Sequence, residues 1–430
     1  MKTFEELKLS KSLLRALEEI GFTEPTPVQE LAIPAIQSGT NLLGIAQTGT
    51  GKTAAYLLPI LTRMVKGEGT EPRAIVLVPT RELSIQVGED TEELTTYTDI
   101  RHAAIYGGIG WTRHASLLAP GVDILIATPG RLWDLYQANA VTFRKVKYLV
   151  IDEADRMLDM GFMPQLRQLF EVIPHKRQNL LFSATFSEKV ERMAQDFLDH
   201  YEKIEIAPSA TTVELVNQSV YLTPNYRTKL NLVRFFLEDE EVFNRVIIFV
   251  KTKESAEDVY KIIRRKTEGE KRIMHSNKGQ STRMNAIREF KEGHIRILIS
   301  TDMSARGLDV SLVSHVINFD IPPRYEDYVH RIGRTARAGN LGTAITLVAP
   351  DEEWHLKRIE KLIRMQIPVM QIPSYVVIEP TGFEEMQSQL REIDRQRKID
   401  NPEFKGAFHA KKKRSSKPIS NKSGRNKGKR

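Results

Sequence analysis

Short runs of aliphatic and β-branched residues alternate with longer segments of mixed polarity through most of this chain. In the first part the apolar runs are Asn41–Ala46, Ala74–Val78, Ile124–Thr128, Tyr148–Asp152 and Leu180–Ser183. They lack the strict polar–apolar alternation of a sheet with one wet face. That pattern predicts parallel strands covered on both sides by helices. Ala54–Met64 reads as one such helix, with Pro59 as a point where it could kink. The rhythm returns with Val246–Val250, Ile295–Thr301, His315–Phe319 and Ala344–Val348. The pattern therefore predicts two α/β units in tandem. They span residues 1–208 and 216–372, and the polar join around Ala207–Val213 supplies a linker at 209–215. A charged helical segment, Phe383–Lys398, marks an extension over 373–403, and a tail runs over 404–430.

Composition narrows the class. A length of 430 residues exceeds one ordinary core, and 41% hydrophobic with 27% charged residues is usual for a chain that folds in water. No apolar run approaches the roughly 18 residues needed to span a bilayer. The opening Met1–Leu7 also lacks the apolar stretch of a secretory signal. The chain contains no cysteine, which excludes disulfides, thiol catalysis and cysteine-ligated zinc. A cytoplasmic enzyme is the expectation. The net charge of +8 is unevenly placed: Phe404–Arg430 holds eleven Lys or Arg and no acid, leaving 52 basic against 55 acidic residues before it. A tail of Lys, Ser, Gly and Asn is expected to be disordered and to favour a nucleic-acid partner through counterion release. A solvated end that only aids solubility is the alternative.

The strongest local chemistry is Ala46-Gln-Thr-Gly-Thr-Gly-Lys-Thr53, set between a predicted strand and a predicted helix. Thr48, Gly49, Thr50 and Gly51 can turn backbone N–H groups toward phosphates, and the helix start adds its dipole. Lys52 can reach the β- and γ-phosphates and Thr53 can ligate Mg²⁺. Ala46 stands where the simple pattern has glycine. Asp152 closes an apolar strand, placed to hold Mg²⁺, and Glu153 follows it as the candidate general base. The second unit has no Gly-Lys-Thr of its own. It does carry His330-Arg-Ile-Gly-Arg-Thr-Ala-Arg337, whose arginines can meet charge on a γ-phosphate from the opposite side. A patch contacting RNA phosphates, or a structural ion-pair cluster, is the other reading of those arginines.

Asp152-Glu153-Ala154-Asp155 and the motifs around it, in order and spacing from Phe4 to Arg337, resemble the DEAD-box RNA helicases. The resemblance implies two RecA-like domains with parallel sheets, and ATP and Mg²⁺ at the site between them. Phe22, Pro25, Thr26 and Gln29 look like the family's adenine motif: Phe22 stacks on the base and Gln29 reads its edge. Phe4 lies where the family has an upstream aromatic. Arg81 in Pro79–Leu83, Gly107-Gly108, and Thr128 and Arg131 in Thr128-Pro-Gly-Arg131 resemble the RNA-contacting loops of the first domain. Gln280, Arg283 and Thr301 resemble those of the second. Gly307 and Asp309 correspond to nucleotide contacts, and Arg334 and Arg337 to the γ-phosphate fingers. Asp155, Ser183, Thr185 and His330 correspond to positions that couple hydrolysis to RNA. Ser304 and Ala336 depart from the commonest spelling. The implied activity is ATP-dependent separation of short RNA duplexes, or remodelling of RNA–protein complexes, with little base specificity. An ATP-gated RNA clamp uses the same motifs, a DNA translocase uses the same lobes, and a simple kinase or GTPase leaves the second unit unexplained.

Overall fold

The computed structural model describes residues 3–47, 49–64, 71–108, 110–206, 216–264, 267–275, 277–301, 313–335 and 342–404. The first sheet contains β1 (Asn41–Ile45), β2 (Ala74–Leu77), β3 (His102–Ile105), β4 (Ile124–Ala127), β5 (Tyr148–Ile151), β6 (Gln178–Ser183) and β7 (Tyr201–Glu205). Its order is β3-β4-β2-β5-β6-β1-β7, parallel throughout. The second contains β8 (Val216–Leu222), β9 (Val246–Val250), β10 (Lys271–Met274), β11 (Ile297–Thr301), β12 (His315–Asn318), β13 (Gly342–Val348) and β14 (Val369–Met370). Its order is β10-β11-β9-β12-β13-β8-β14, again parallel.

The runs that read as bare apolar strands are the interior ones, and every residue of β2, β4, β5, β9 and β12 is buried. Each sheet has an apolar cluster on both faces, as a doubly covered parallel sheet requires. Five strands were not foreseen. β3, β7, β10 and β14 are edge strands and β8 lies beside β14; polar residues break the apolar run in β3, β7, β8 and β10, and β14 is only two residues long. The predicted helix at Ala54–Met64 runs from Lys52 to Arg63 and continues through Pro59. The linker at 209–215 lies outside the described residues, as does the tail beyond Phe404.

The charged extension forms one helix, Phe383–Asp400, tied to the second unit rather than standing apart. Gln389 Nε2 donates to the Pro224 carbonyl at 3.1 Å, Gln396 Nε2 to that of Asp351 at 2.6 Å, and Trp354 Nε1 to Asp400 at 2.6 Å.

One buried ion pair braces the first sheet at the N-terminal ends of its strands. Asp123 is fully buried; it accepts from Arg73 Nε at 3.2 Å and Nη2 at 2.9 Å, and from the Arg101 backbone N–H at 3.0 Å. It thereby joins the segments leading into β2, β3 and β4. Removing the carboxylate takes away the buried counter-charge of the Arg73 guanidinium, so Asp123→Ala should cost about 3–5 kcal/mol, read as a lower denaturant midpoint in chemical unfolding. An unchanged midpoint would show that water replaces the carboxylate without loss.

Candidate active site

In a parallel sheet the loops after the strands gather on one rim, where ligands bind. β1 leads into the phosphate loop, β5 into Asp152 and β6 into the Ser183–Thr185 turn. Gly49 and Gly51 have φ of 82° and 86°, which a side chain opposes. A Cβ on Gly51 would also collide with the Gln29 amide. Lys52 begins the next helix with its side chain buried, yet its amine makes no hydrogen bond among the described residues. Asp152 and Glu153 both feel its charge. A buried ammonium without acceptors is costly, so the pocket is arranged for an anion that arrives from outside. Thr48 lies outside the described residues. Thr50 hydroxyl donates to the Gln47 carbonyl at 2.7 Å.

The two acids differ. Burial pushes the Asp152 carboxyl above its ordinary value, although Lys52 opposes this. Burial also acts on Glu153, but Arg156 and Lys52 outweigh it and hold that carboxyl below the usual range. Arg156 Nη1 donates to Glu153 Oε2 at 2.6 Å, and both side chains are nearly inaccessible. Glu153 has a left-handed backbone (φ 52°), a strain of about 1–2 kcal/mol for a non-glycine residue that sets where its side chain points. Tyr56 hydroxyl donates to Asp152 Oδ2 at 3.1 Å, while Asp152 Oδ1 accepts from the Glu153 backbone at 2.8 Å.

Gln29 is buried and closely engaged: its Oε1 accepts from the Thr26 backbone at 3.0 Å and its Nε2 donates to the Gly51 carbonyl at 3.1 Å. An amide has a second N–H and further lone pairs for a purine edge. Phe22 is 42% exposed and lies outside the apolar core. Phe4 is instead buried in the same apolar cluster as Leu13, Leu17 and Val28, the setting of a packing residue.

The first-domain RNA candidates share a second part of that rim, at the ends of β2, β3 and β4. Arg81 lies across Gly107-Gly108 so closely that a side chain at Gly108 (φ 87°) would run into its guanidinium. Thr128 caps the helix Pro129–Gln137, and Arg131 Nε donates to His114 Nδ1 at 3.2 Å. His114 was not singled out from sequence. It is fully buried, and burial followed by Arg131 and Arg113 holds its pKa down, so the neutral ring is the acceptor for Arg131.

Between the two units, Arg283 Nη2 meets Glu82 at 2.8 Å and Arg324 pairs with Asp159. A cavity of about 340 Å³ lies at the same junction, bordered by Asp155, Arg156, Thr185, Arg324, Asp327 and His330. Asp155 Oδ2 accepts from Thr185 Oγ1 at 2.9 Å and from its backbone at 3.1 Å, and Ser183 Oγ donates to the Thr185 carbonyl at 2.8 Å. His330 Nδ1 stands 3.7 Å from Asp327. Arg334 is buried in the turn after the helix Tyr325–Ile332, with Nε donating to the His330 carbonyl at 3.1 Å. Thr301 ends β11 and is half-buried. Gln280 begins a helix whose fourth residue is Arg283, but its side chain is outside the described set. Gly307, Asp309, Arg337, Ser304 and Ala336 also lie outside the described residues.

Residues 26–193 match the family described as DEAD/DEAH box helicase, and residues 228–339 match the helicase conserved C-terminal domain. The chain is 38% identical over 372 residues to the DEAD-box ATP-dependent RNA helicase RhpA of Helicobacter pylori, covering 86% of this chain and 75% of that one. It is also 38% identical over 387 residues to the ATP-dependent RNA helicase RhlB of Photorhabdus laumondii, covering 88% and 90%. This chain belongs to the DEAD-box ATP-dependent RNA helicases.

The fold of the helicase matches that of S. cerevisiae Dbp5 bound to RNA and ADP BeF3, with a TM-score of 0.78 at 31% identity over 87% of this chain and 97% of that one. It matches Mss116 bound to ssRNA and UDP-BeF with a TM-score of 0.79 at 25% identity, over 95% and 89%. The two sheets of the helicase are thus tandem RecA-like domains, and the family to which it belongs hydrolyses ATP. No helix among the described residues is long and apolar enough to cross a membrane.

Proposed function

We propose that this helicase locally separates short RNA duplexes, or remodels RNA–protein complexes, by ATP-driven closure of its two domains in the cytoplasm. The observation that carries the reading is the division of phosphate chemistry between domains. Lys52, Asp152 and Glu153 sit on the first, and His330 and Arg334 on the second, with His330 facing Asp155 and Arg156 of the first across one cavity. The resemblance to Dbp5 bound to RNA and ADP BeF3 supports RNA and an adenine nucleotide as ligands.

The donor set fits a nucleotide carrying magnesium. The buried, unbonded Lys52 amine suits phosphate oxygens. Thr53 and Asp152 offer two hard oxygens, and the ion usually takes only one or two ligands from protein at phosphate sites. Bound magnesium would neutralise charge building on the transferred phosphoryl group. Glu153, held ionised by Arg156 and Lys52, accepts the proton of the attacking water. Arg334 enters from the second domain to stabilise the transition state, and Arg337 is the second finger of that motif. RNA lies along Arg81, Gly108, Thr128 and Arg131 on one domain and Gln280, Arg283 and Thr301 on the other, through its backbone rather than its bases. Because both ligands bridge both domains, each lowers the cost of closure for the other, a reciprocal coupling. Opening after hydrolysis requires the junction pairs Arg283–Glu82 and Arg324–Asp159 to exchange partners.

A strand-displacement assay with RNA duplexes of increasing length tests this. ATP-dependent release from short duplexes, falling away with length, is the expected result. Processive unwinding over many turns contradicts the closure cycle. RNA retention gated by ATP without any strand release indicates the clamp instead.

The basic segment 404–430 is expected to add RNA affinity by counterion release. Its removal should weaken RNA binding and flatten the salt dependence, with turnover at saturating RNA nearly unchanged. The slope of log affinity against log salt measures this. An unaltered slope would show that the tail does not touch RNA.

A further inference from the structure

The largest side chain sealed beneath the phosphate site is Tyr56, fully buried on the helix Lys52–Arg63. It follows Thr53 by three residues, which places both on one face of that helix. Its hydroxyl donates to Asp152 Oδ2 at 3.1 Å, across 96 residues of sequence. Its ring meets Phe182 at a centroid separation of 5.4 Å, and Phe182 packs against Gly44 of β1 immediately before the Ser183–Thr185 turn. The phenol therefore holds Asp152 from below, one helical turn along from Thr53, while its ring is fixed by the core.

We propose that Tyr56 is a positioning residue for magnesium: its hydroxyl orients the Asp152 carboxylate and registers it against the Thr53 hydroxyl before metal and nucleotide bind. This rests on the reading of Thr53 and Asp152 as the magnesium ligands. A carboxylate in reach of a metal has one set of lone pairs to fix its rotation and another to face the ion or its waters. Asp152 meets that description: the Glu153 N–H holds Oδ1 and the phenol holds Oδ2. Partners of this kind set metal affinity without touching the metal. Phenylalanine keeps the ring and its contact with Phe182 and removes only the donor.

The experiment uses the full-length protein, titrated with N-methylanthraniloyl-ADP at graded MgCl₂ and in EDTA. Tyr56→Phe is expected to raise the Mg²⁺ concentration at half-effect by about tenfold. Affinity in EDTA should be unchanged and the melting temperature should fall only slightly. In an Asp152→Asn background, adding Tyr56→Phe should shift the midpoint by less than about twofold, because the two act in series. A Tyr56→Phe midpoint equal to wild type, while Asp152→Asn alone shifts it, overturns the positioning role and leaves the metal site standing. Full additivity of the two substitutions overturns it as well, since the tyrosine would then act independently of Asp152. A wild type whose nucleotide affinity ignores Mg²⁺ overturns the metal-site reading beneath it.

Discussion

Arg334→Ala is expected to lower RNA-stimulated ATP turnover by about 10³-fold or more while leaving nucleotide affinity in the absence of RNA close to wild type. The asymmetry follows from where the residue sits. Arg334 belongs to the second domain, in the turn after the helix Tyr325–Ile332, whereas the phosphate loop, Asp152 and Glu153 belong to the first. A nucleotide held by the first domain alone does not depend on it, and a transition state formed after closure does. Its Nε is spent on the His330 carbonyl at 3.1 Å, which fixes the guanidinium on its own turn. Steady-state turnover at saturating RNA, paired with nucleotide titration of the RNA-free protein, separates the two effects. A fall of less than about tenfold would place charge stabilisation elsewhere, in Arg337 or in the first domain itself.

Lys52→Ala is expected to reduce turnover by about 10²- to 10³-fold and, unlike Arg334→Ala, to weaken nucleotide binding with or without RNA. The buried amine has no hydrogen-bond acceptor among the described residues, so its enthalpy of interaction is realised only when an anion arrives. Asp152 and Glu153 feel its charge, and without it both carboxyls should rise in pKa. Glu153, which is ionised because Arg156 and Lys52 outweigh burial, loses one of those two supports. The remaining activity should therefore require higher pH, since the base is active only above its pKa. Turnover against pH checks this, and a Lys52→Ala profile superimposable on wild type would remove Lys52 from the electrostatics of the acids.

The interior of each sheet was legible because helices cover it on both faces, leaving uninterrupted apolar runs such as Val246–Val250. The edges were not. In Tyr201–Glu205 only Ile204 is buried, so a strand of the sheet looks like a polar turn. Val216–Leu222 turns Val216, Gln218 and Val220 inward, and the polar residues around them hide the alternation. At the site, the phosphate loop and the acids at Asp152 and Glu153 stood out because each is a short contiguous run directly after an apolar strand. The partners that tune them were not, since no local pattern joins Tyr56 to Asp152, His114 to Arg131 or Glu82 to Arg283. Arg156 was not singled out either, although its spacing of three from Glu153 at a helix start is a readable ion-pair signal. Phe4 shows the converse, a motif position whose surroundings are those of an ordinary core residue.

The central claim is that ATP hydrolysis in this two-domain site is coupled to RNA. The most direct measurement is steady-state ATP hydrolysis by the full-length protein with no nucleic acid, with single-stranded RNA and with DNA of the same sequence, using Lys52→Ala to exclude contaminating activity. Strong stimulation by RNA and little by DNA is the expected result. Equal stimulation by both, or by neither, would contradict it.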